Sequence, residues 1–395
     1  MNADAPAPPS SPTAPESSLR SVLPSAAAAL GVAGMPNALR WPATRRAVVV
    51  MVDGLGRALL RRFGGHAPFL KSAMAEHGRV LQAAIPTTTA ASLTSFGTGE
   101  DPGVHGIVGY DVLDPERGVV INQLGGWDER TDPLTWQPLP TVLERAEQAG
   151  VDVVTVSLPA FEHSALTRAA LRGGRFLAGR SMTARAQLAA QEVGAARVPL
   201  LVYLYFNELD KAGHRSGVGS EAWLYALEEL DATLRRLHQR LPAGSTLAIT
   251  GDHGMMDIPA SRRIDVTARD GNGALRWPHL MEHVAHLAGE PRCVQVHLDP
   301  AATPAQRDAV LAAWQQVWGS QAWILTREEA TAAGWFGETV TDRVAPRIGD
   351  LLVAPHTDLA LYDGARVDPQ AFEMVGQHGS PTRAEREVPL ILLST

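Results

Sequence analysis

Cysteine is nearly missing from this 395-residue chain: Cys293 stands alone. An intramolecular disulfide and a thiol-rich structural zinc site are both excluded, although one cysteine says little about compartment. Long apolar runs are missing as well. No stretch approaches the roughly 20 residues a membrane-spanning helix needs. The N-terminus lacks the basic start and sustained apolar run of a secretory signal. The expectation is a cytoplasmic protein with no membrane partner. Nor is there a dense Lys/Arg tract, and the formal charge is -7, which argues against a stable nucleic-acid complex held through phosphates. Small-molecule substrates fit better. No internal repeat is present, and nothing marks an oligomeric state.

What is present begins with an Ala/Pro/Ser-rich segment, residues 1–42, expected to be at least partly disordered, above all Met1 to Glu16. The folded body is expected from about Arg45, giving one large domain over 43–395. Ala47 to Val52 is a short, continuous apolar run that ends at Asp53, the pattern of a strand covered on both faces. Leu201 to Phe206 precedes Asp210 in the same way, and Thr246 to Thr250 precedes Asp252 and His253. Helices alternate with these runs. Ser220 can cap a helix carrying Leu227, Leu230, Leu234 and Leu237, and Pro140 to Gln148 leads through Gly150 into Val151 to Val156.

This order predicts an α/β fold: a largely parallel central sheet with helices on both faces and ligands gathered beyond the strand ends. Residues 259–350 break the regular alternation and carry no candidate ligand motif, so an inserted cap subdomain is expected there. Gly349 to Ala354 reads as the return to the main sheet. His378 then sits in a loop before the final apolar run, Val388 to Leu393.

The chemistry lies in five separated segments: Val-Asp53-Gly, Pro86-Thr-Thr-Thr89, Asp210-Lys-Ala-Gly-His214, Gly-Asp252-His253-Gly-Met and Gly-Gln-His378-Gly. Together they offer carboxylates, imidazoles and a hydroxyl, enough for two zinc-type ions and an attacking alkoxide, as in a hydrolase. Each motif also has a plainer reading. Asp210 and His214, four apart, share one side of a helical turn, as a ligand pair or a solvated surface pair would. Gly213 and Gly217 favour the former, because they allow close backbone approach. Asp252 and His253 need a turn to converge, and could be a polar turn after a strand. Asp53 could cap the next helix, as could one of the threonines before the run starting at Ala90. A threonine hydroxyl is a poor nucleophile until a metal draws off its proton. Beside the other motifs, Thr89 is the candidate nucleophile. The remaining histidines, His105 among them, read as packed or solvated.

The ordered set resembles the alkaline phosphatase superfamily, and within it the type I phosphodiesterase/nucleotide pyrophosphatase family, over roughly Arg45 to Thr395. The resemblance implies an alkaline-phosphatase-like sandwich with two Zn2+, other divalent transition metals being possible. It implies that Asp210, His214 and His378 hold one ion. Asp53, Asp252 and His253 hold the other, with Thr89 as both its ligand and the nucleophile. The implied reaction hydrolyses a small-molecule phosphodiester, nucleotides being one candidate class, through a covalent phosphothreonine. One departure stands out: after His105-Gly-Ile107 the family has an asparagine that contacts a phosphoryl oxygen, and here Tyr110 follows. Tyr110 is therefore a candidate substrate contact, as is Tyr205, which lies where the family often places a tyrosine near the base, although a core role fits it too. Phosphomonoesterases of the superfamily use serine followed by arginine, absent from Thr-Thr-Thr89-Ala-Ala. Phosphoglycerate-mutase-like chemistry also uses serine. A phosphonoacetate-type hydrolase shares the threonine and metals and stays open, as does a metal-binding member without activity.

Overall fold

The computed structural model describes residues 6–10 and 14–395; the expected disorder of the tail falls in part outside them. The three apolar runs are neighbouring parallel strands. Arg46–Val52 lies between Leu200–Phe206 and Ser245–Gly251, with Val52 opposite both Phe206 and Gly251. Side chains alternate across a strand. Val48, Val50 and Val52 enter one core with the helices Arg57–Phe63, Met182–Ala195 and Glu221–Arg240, while Ala47, Val49 and Met51 enter another with Val22–Ala29, Thr89–Thr98 and Val142–Gln148. A strand apolar on both sides is thus buried on both sides.

Asp152–Ser157 and Arg175–Ala178 extend the parallel array beyond Leu200–Phe206, and the antiparallel Glu387–Ser394 and then Gly78–Gln82 complete a seven-stranded sheet at the other edge. The capped helix forms as expected: Ser220 accepts a hydrogen bond from Trp223 N, and the helix runs Glu221–Arg240. Thr141 and Glu144 close a capping box on Val142–Gln148.

A second, six-stranded antiparallel sheet joins Ala322–Thr326, Leu351–Pro355, Cys293–Leu298, Val284–Glu290, Asp111–Asp114 and Val119–Asn122. The helix Pro304–Trp318 packs on it through Val310, Trp314 and Trp318. Two expectations are corrected here. Leu351–Pro355 does not return to the main sheet; it pairs between Ala322–Thr326 and Cys293–Leu298. A short apolar run suits either sheet, and nothing in it names its partner. The folded body also starts before Arg45. Val22–Ala29 is a helix whose Val22, Leu23, Ala26 and Ala27 are fully buried. Alanine is the best helix former and packs closely, so a segment that reads by composition as a tail is core. No helix among the described residues is long and apolar enough to cross a membrane.

Candidate active site

The three strand ends deliver their carboxylates to one place. Asp53 follows Arg46–Val52 and is fixed by its own N–H, which donates to Phe206 O at 2.8 Å. It caps no helix: Gly56 is the residue before Arg57–Phe63. Gly54 takes φ +75°, and a Cβ there would stand 3.2 Å from Asp210 Cα, so the glycine lets the two carboxylate segments meet. Asp210 and His214 lie on the helix Glu208–Ser216, with Asp210 Oδ1 3.3 Å from His214 Nε2. Gly213 faces Met255 so closely that a Cβ would lie 2.3 Å from its sulfur. The turn after Ser245–Gly251 brings Asp252 and His253 inward; both are fully buried. Thr89 is the first residue of Thr89–Thr98, and Thr88 before it makes no side-chain cap.

Thr89 Oγ1 lies 3.1 Å from His253 Nε2. The same Nε2 is 3.3 Å from Asp53 Oδ1 and 3.4 Å from Asp252 Oδ2. The His253 and His378 rings stack at 3.6 Å between centroids, and His214 lies 5.2 Å from His378. Among the described residues, two groups offer metal-ligand atoms within 4.8 Å of one another: Asp210, His214 and His378, and Asp53, Asp210 and His253. The first is the set the resemblance implies. In the second, Asp210 stands between the groups, and Asp252 borders it through His253.

The donor chemistry fits metal ions. His214 Nδ1 faces Gly376 O at 2.8 Å, His378 Nδ1 faces Thr87 O at 2.8 Å, and His253 Nδ1 faces Gly254 O at 3.0 Å. A carbonyl only accepts, so each Nδ1 carries a proton, and in the neutral ring each Nε2 keeps a lone pair for the site. Asp53 Oδ1, Asp210 Oδ1 and Asp252 Oδ2 are buried with no hydrogen-bond donor. Orphaned buried carboxylate oxygens are costly unless a cation faces them.

The electrostatics agree. Burial, joined by the charge of Asp53, raises Asp210 well above the carboxylate range and Asp252 to about 7. Burial would lower His253, but the carboxylates of Asp252, Asp53 and Asp210 outweigh it and push it up to about 10. Burial and the two neighbouring imidazoles hold His378 well below its usual value. The cage thus demands positive charge, which a proton on His253 or a metal ion displacing that proton can supply.

A cavity of about 670 Å³ opens from Asp53, Thr89, Asp210, His214 and His378. Tyr110 lines it, its N–H donating to Glu290 Oε2 at 2.9 Å, and Asn122 lines it as well, its side-chain amide donating to Asp111 Oδ1 at 3.0 Å. Tyr205 lines it too, but its hydroxyl donates to Asp53 Oδ2, so it holds a carboxylate as well as forming a wall. His105 lies fully buried with Nε2 3.0 Å from Ser95 Oγ, as a packed histidine. Asn122 was not legible as a cavity residue; it arrives on a neighbouring strand, twelve positions beyond Tyr110, and only the antiparallel pairing of Asp111 with Asn122 carries it there.

Solved structures share the fold. Murine ectonucleotide pyrophosphatase/phosphodiesterase 5, solved as an inactive variant with AMP, superposes with a TM-score of 0.64 at 17% identity, covering 87% of each chain. Phosphonoacetate hydrolase from Sinorhizobium meliloti 1021, solved with phosphonoacetate, superposes at 0.66 with 21% identity, over 89% of this chain and 91% of that one. These likenesses establish the fold. Phosphopentomutase of Sinorhizobium medicae (strain WSM419) is 34% identical over 128 residues, 32% of this chain, and the match spans only 29% of the mutase's length. Residues 47–381 match the family model for type I phosphodiesterase/nucleotide pyrophosphatase. With most of its length inside that match, the chain belongs to the type I phosphodiesterase/nucleotide pyrophosphatase family, a family of phosphoester hydrolases.

Proposed function

We propose that this chain is a two-zinc phosphodiesterase that cleaves small-molecule phosphate diesters, nucleotides possible among them, through a covalent ester on Thr89. The observation that carries the reading is Thr89 Oγ1 at 3.1 Å from His253 Nε2, beside three buried carboxylate oxygens without donors. The donor set suits one ion on Asp210, His214 and His378 and one on Asp53, Asp252, His253 and Thr89. When bound, the ions would supply the positive charge that ionises the Thr89 hydroxyl and stabilises the leaving alkoxide.

This chain's own residues do the rest. The first turn of Thr89–Thr98 has N–H groups without helical acceptors, which can hold a phosphoryl oxygen. The Thr89 oxygen attacks phosphorus, the P–O bond to the alcohol breaks, and the phosphoryl group stays on Thr89. Water attacks from the face the alcohol has left, the side of Asp210, His214 and His378, and frees Thr89. Two in-line displacements retain configuration at phosphorus. Tyr110 and Asn122 border the cavity where the ester groups would lie.

A phosphonate substrate is the second reading, supported by the fold shared with phosphonoacetate hydrolase. Hydrolysis of bis(p-nitrophenyl) phosphate beside p-nitrophenyl phosphate separates the cases. The diesterase reading expects faster diester cleavage, abolished by chelator and restored by zinc. Metal-loaded protein inactive on both esters but active on phosphonoacetate would replace it with the second.

A further inference from the structure

The turn between Val284–Glu290 and Cys293–Leu298 carries Arg292, which is fully buried although it belongs to the second sheet, not to the site. All five guanidinium N–H groups find acceptors. Nε donates to Glu385 Oε1 at 2.7 Å and Nη2 to Glu385 Oε2 at 2.8 Å, a two-pronged pair. Nη1 donates to Thr357 O at 2.9 Å and Leu359 O at 2.7 Å, and Nη2 also reaches Pro355 O at 3.2 Å. Glu385 is fully buried too and accepts from Ser380 N at 3.1 Å and from the Thr382 hydroxyl.

From Glu385 the contacts run to three parts of the site. Its carbonyl accepts from Gly254 N at 2.6 Å, next to His253. Ser380, held by the Glu385 carboxylate, accepts the Thr87 hydroxyl on its carbonyl at 3.0 Å. Thr87 is tied twice to Gly379: its Oγ1 accepts from Gly379 N, and its N–H donates to Gly379 O, each at 3.0 Å. The Thr87 carbonyl then receives His378 Nδ1 at 2.8 Å, two residues before Thr89. A buried ion pair is weak evidence of stability, because its desolvation cost rivals its attraction. What this pair does supply is a fixed geometry, with every polar atom of both groups matched.

We propose that Arg292 and Glu385 are positioning residues that, through Ser380 and Thr87, set His378 and Thr89 in register with each other and with His253. The inference rests on the reading of His378 as a metal ligand and Thr89 as nucleophile. It extends that reading by making the second sheet part of the catalytic geometry.

The test uses the full chain with Glu385→Gln, which keeps the size and loses the charge, and Thr87→Val, which leaves the ion pair intact and removes the last relay hydroxyl. Three quantities are read: cobalt(II) affinity of the metal-stripped protein by its absorption bands, kcat and KM on bis(p-nitrophenyl) phosphate at saturating zinc, and the melting temperature. Both variants are expected to weaken cobalt binding and lower kcat by about 10–100-fold, with KM within about threefold, the scale seen when partners behind metal ligands are removed. A folded variant that melts earlier yet keeps cobalt affinity and kcat within about twofold would overturn the proposal, because that is the signature of a purely structural role. Should Glu385→Gln fail to fold, Thr87→Val decides alone. Wild-type protein that cleaves no diester would defeat the phosphodiesterase reading while leaving the cobalt comparison to judge the clamp.

Discussion

Tyr205 shows how one hydroxyl can serve the site without touching a reacting atom. Its ring is packed edge-on against Phe161 at 5.8 Å, and its hydroxyl donates to Asp53 Oδ2. That bond occupies one carboxylate oxygen and leaves Oδ1, which has no donor, turned to His253. Tyr205→Phe keeps the packing and frees Oδ2. It should lower kcat and cobalt affinity by roughly 10-fold while the melting temperature changes little; unchanged affinity would mean that Asp53 needs no such support. Nothing in Leu-Tyr205-Phe distinguishes this tyrosine from a core aromatic, because the deciding partner lies on the neighbouring strand. The candidate ligand positions stand out in the sequence for the opposite reason: Asp53, Asp210, Asp252 and His253 come after apolar runs, where a charged residue would otherwise be out of place. Arg292 and Glu385 carry no such local mark, and their pairing across 93 positions is visible only in three dimensions.

At the scale of elements, strands that end at chemistry were readable and strands that only pair were not. Arg46–Val52, Leu200–Phe206 and Ser245–Gly251 announce themselves by apolar runs and polar ends. Leu351–Pro355 has the same apolar run, and its place in the second sheet is decided by pairing with Cys293–Leu298. The helix Val22–Ala29 was hidden by its alanines, which look alike in a tail and in a close-packed core. Its burial makes a direct prediction. Leu23→Ala should cost about 2–5 kcal/mol in urea unfolding, the range for deleting a buried leucine side chain. A loss below about 0.5 kcal/mol, the range of surface substitutions, would show that the helix is not part of the folded body.

On the scale of the whole molecule, the main sheet gathers the candidate ligands and the second sheet encloses the space beyond them. Asp53, Thr89, Asp210, His214 and His378 form one wall of the cavity, while Glu290 and Val294 from the second sheet form another. Within the carboxylate-rich cage, His253 Nε2 lies 3.1 Å from the Thr89 hydroxyl at the start of Thr89–Thr98. The central claim is that this hydroxyl is the nucleophile. Turnover of bis(p-nitrophenyl) phosphate by Thr89→Ala, with metal content measured on the same sample, tests it most directly. Metal content equal to wild type and a fall in kcat of roughly 10³-fold or more are expected, as for loss of a covalent nucleophile; kcat retained within about tenfold at equal metal content would show that another group attacks phosphorus.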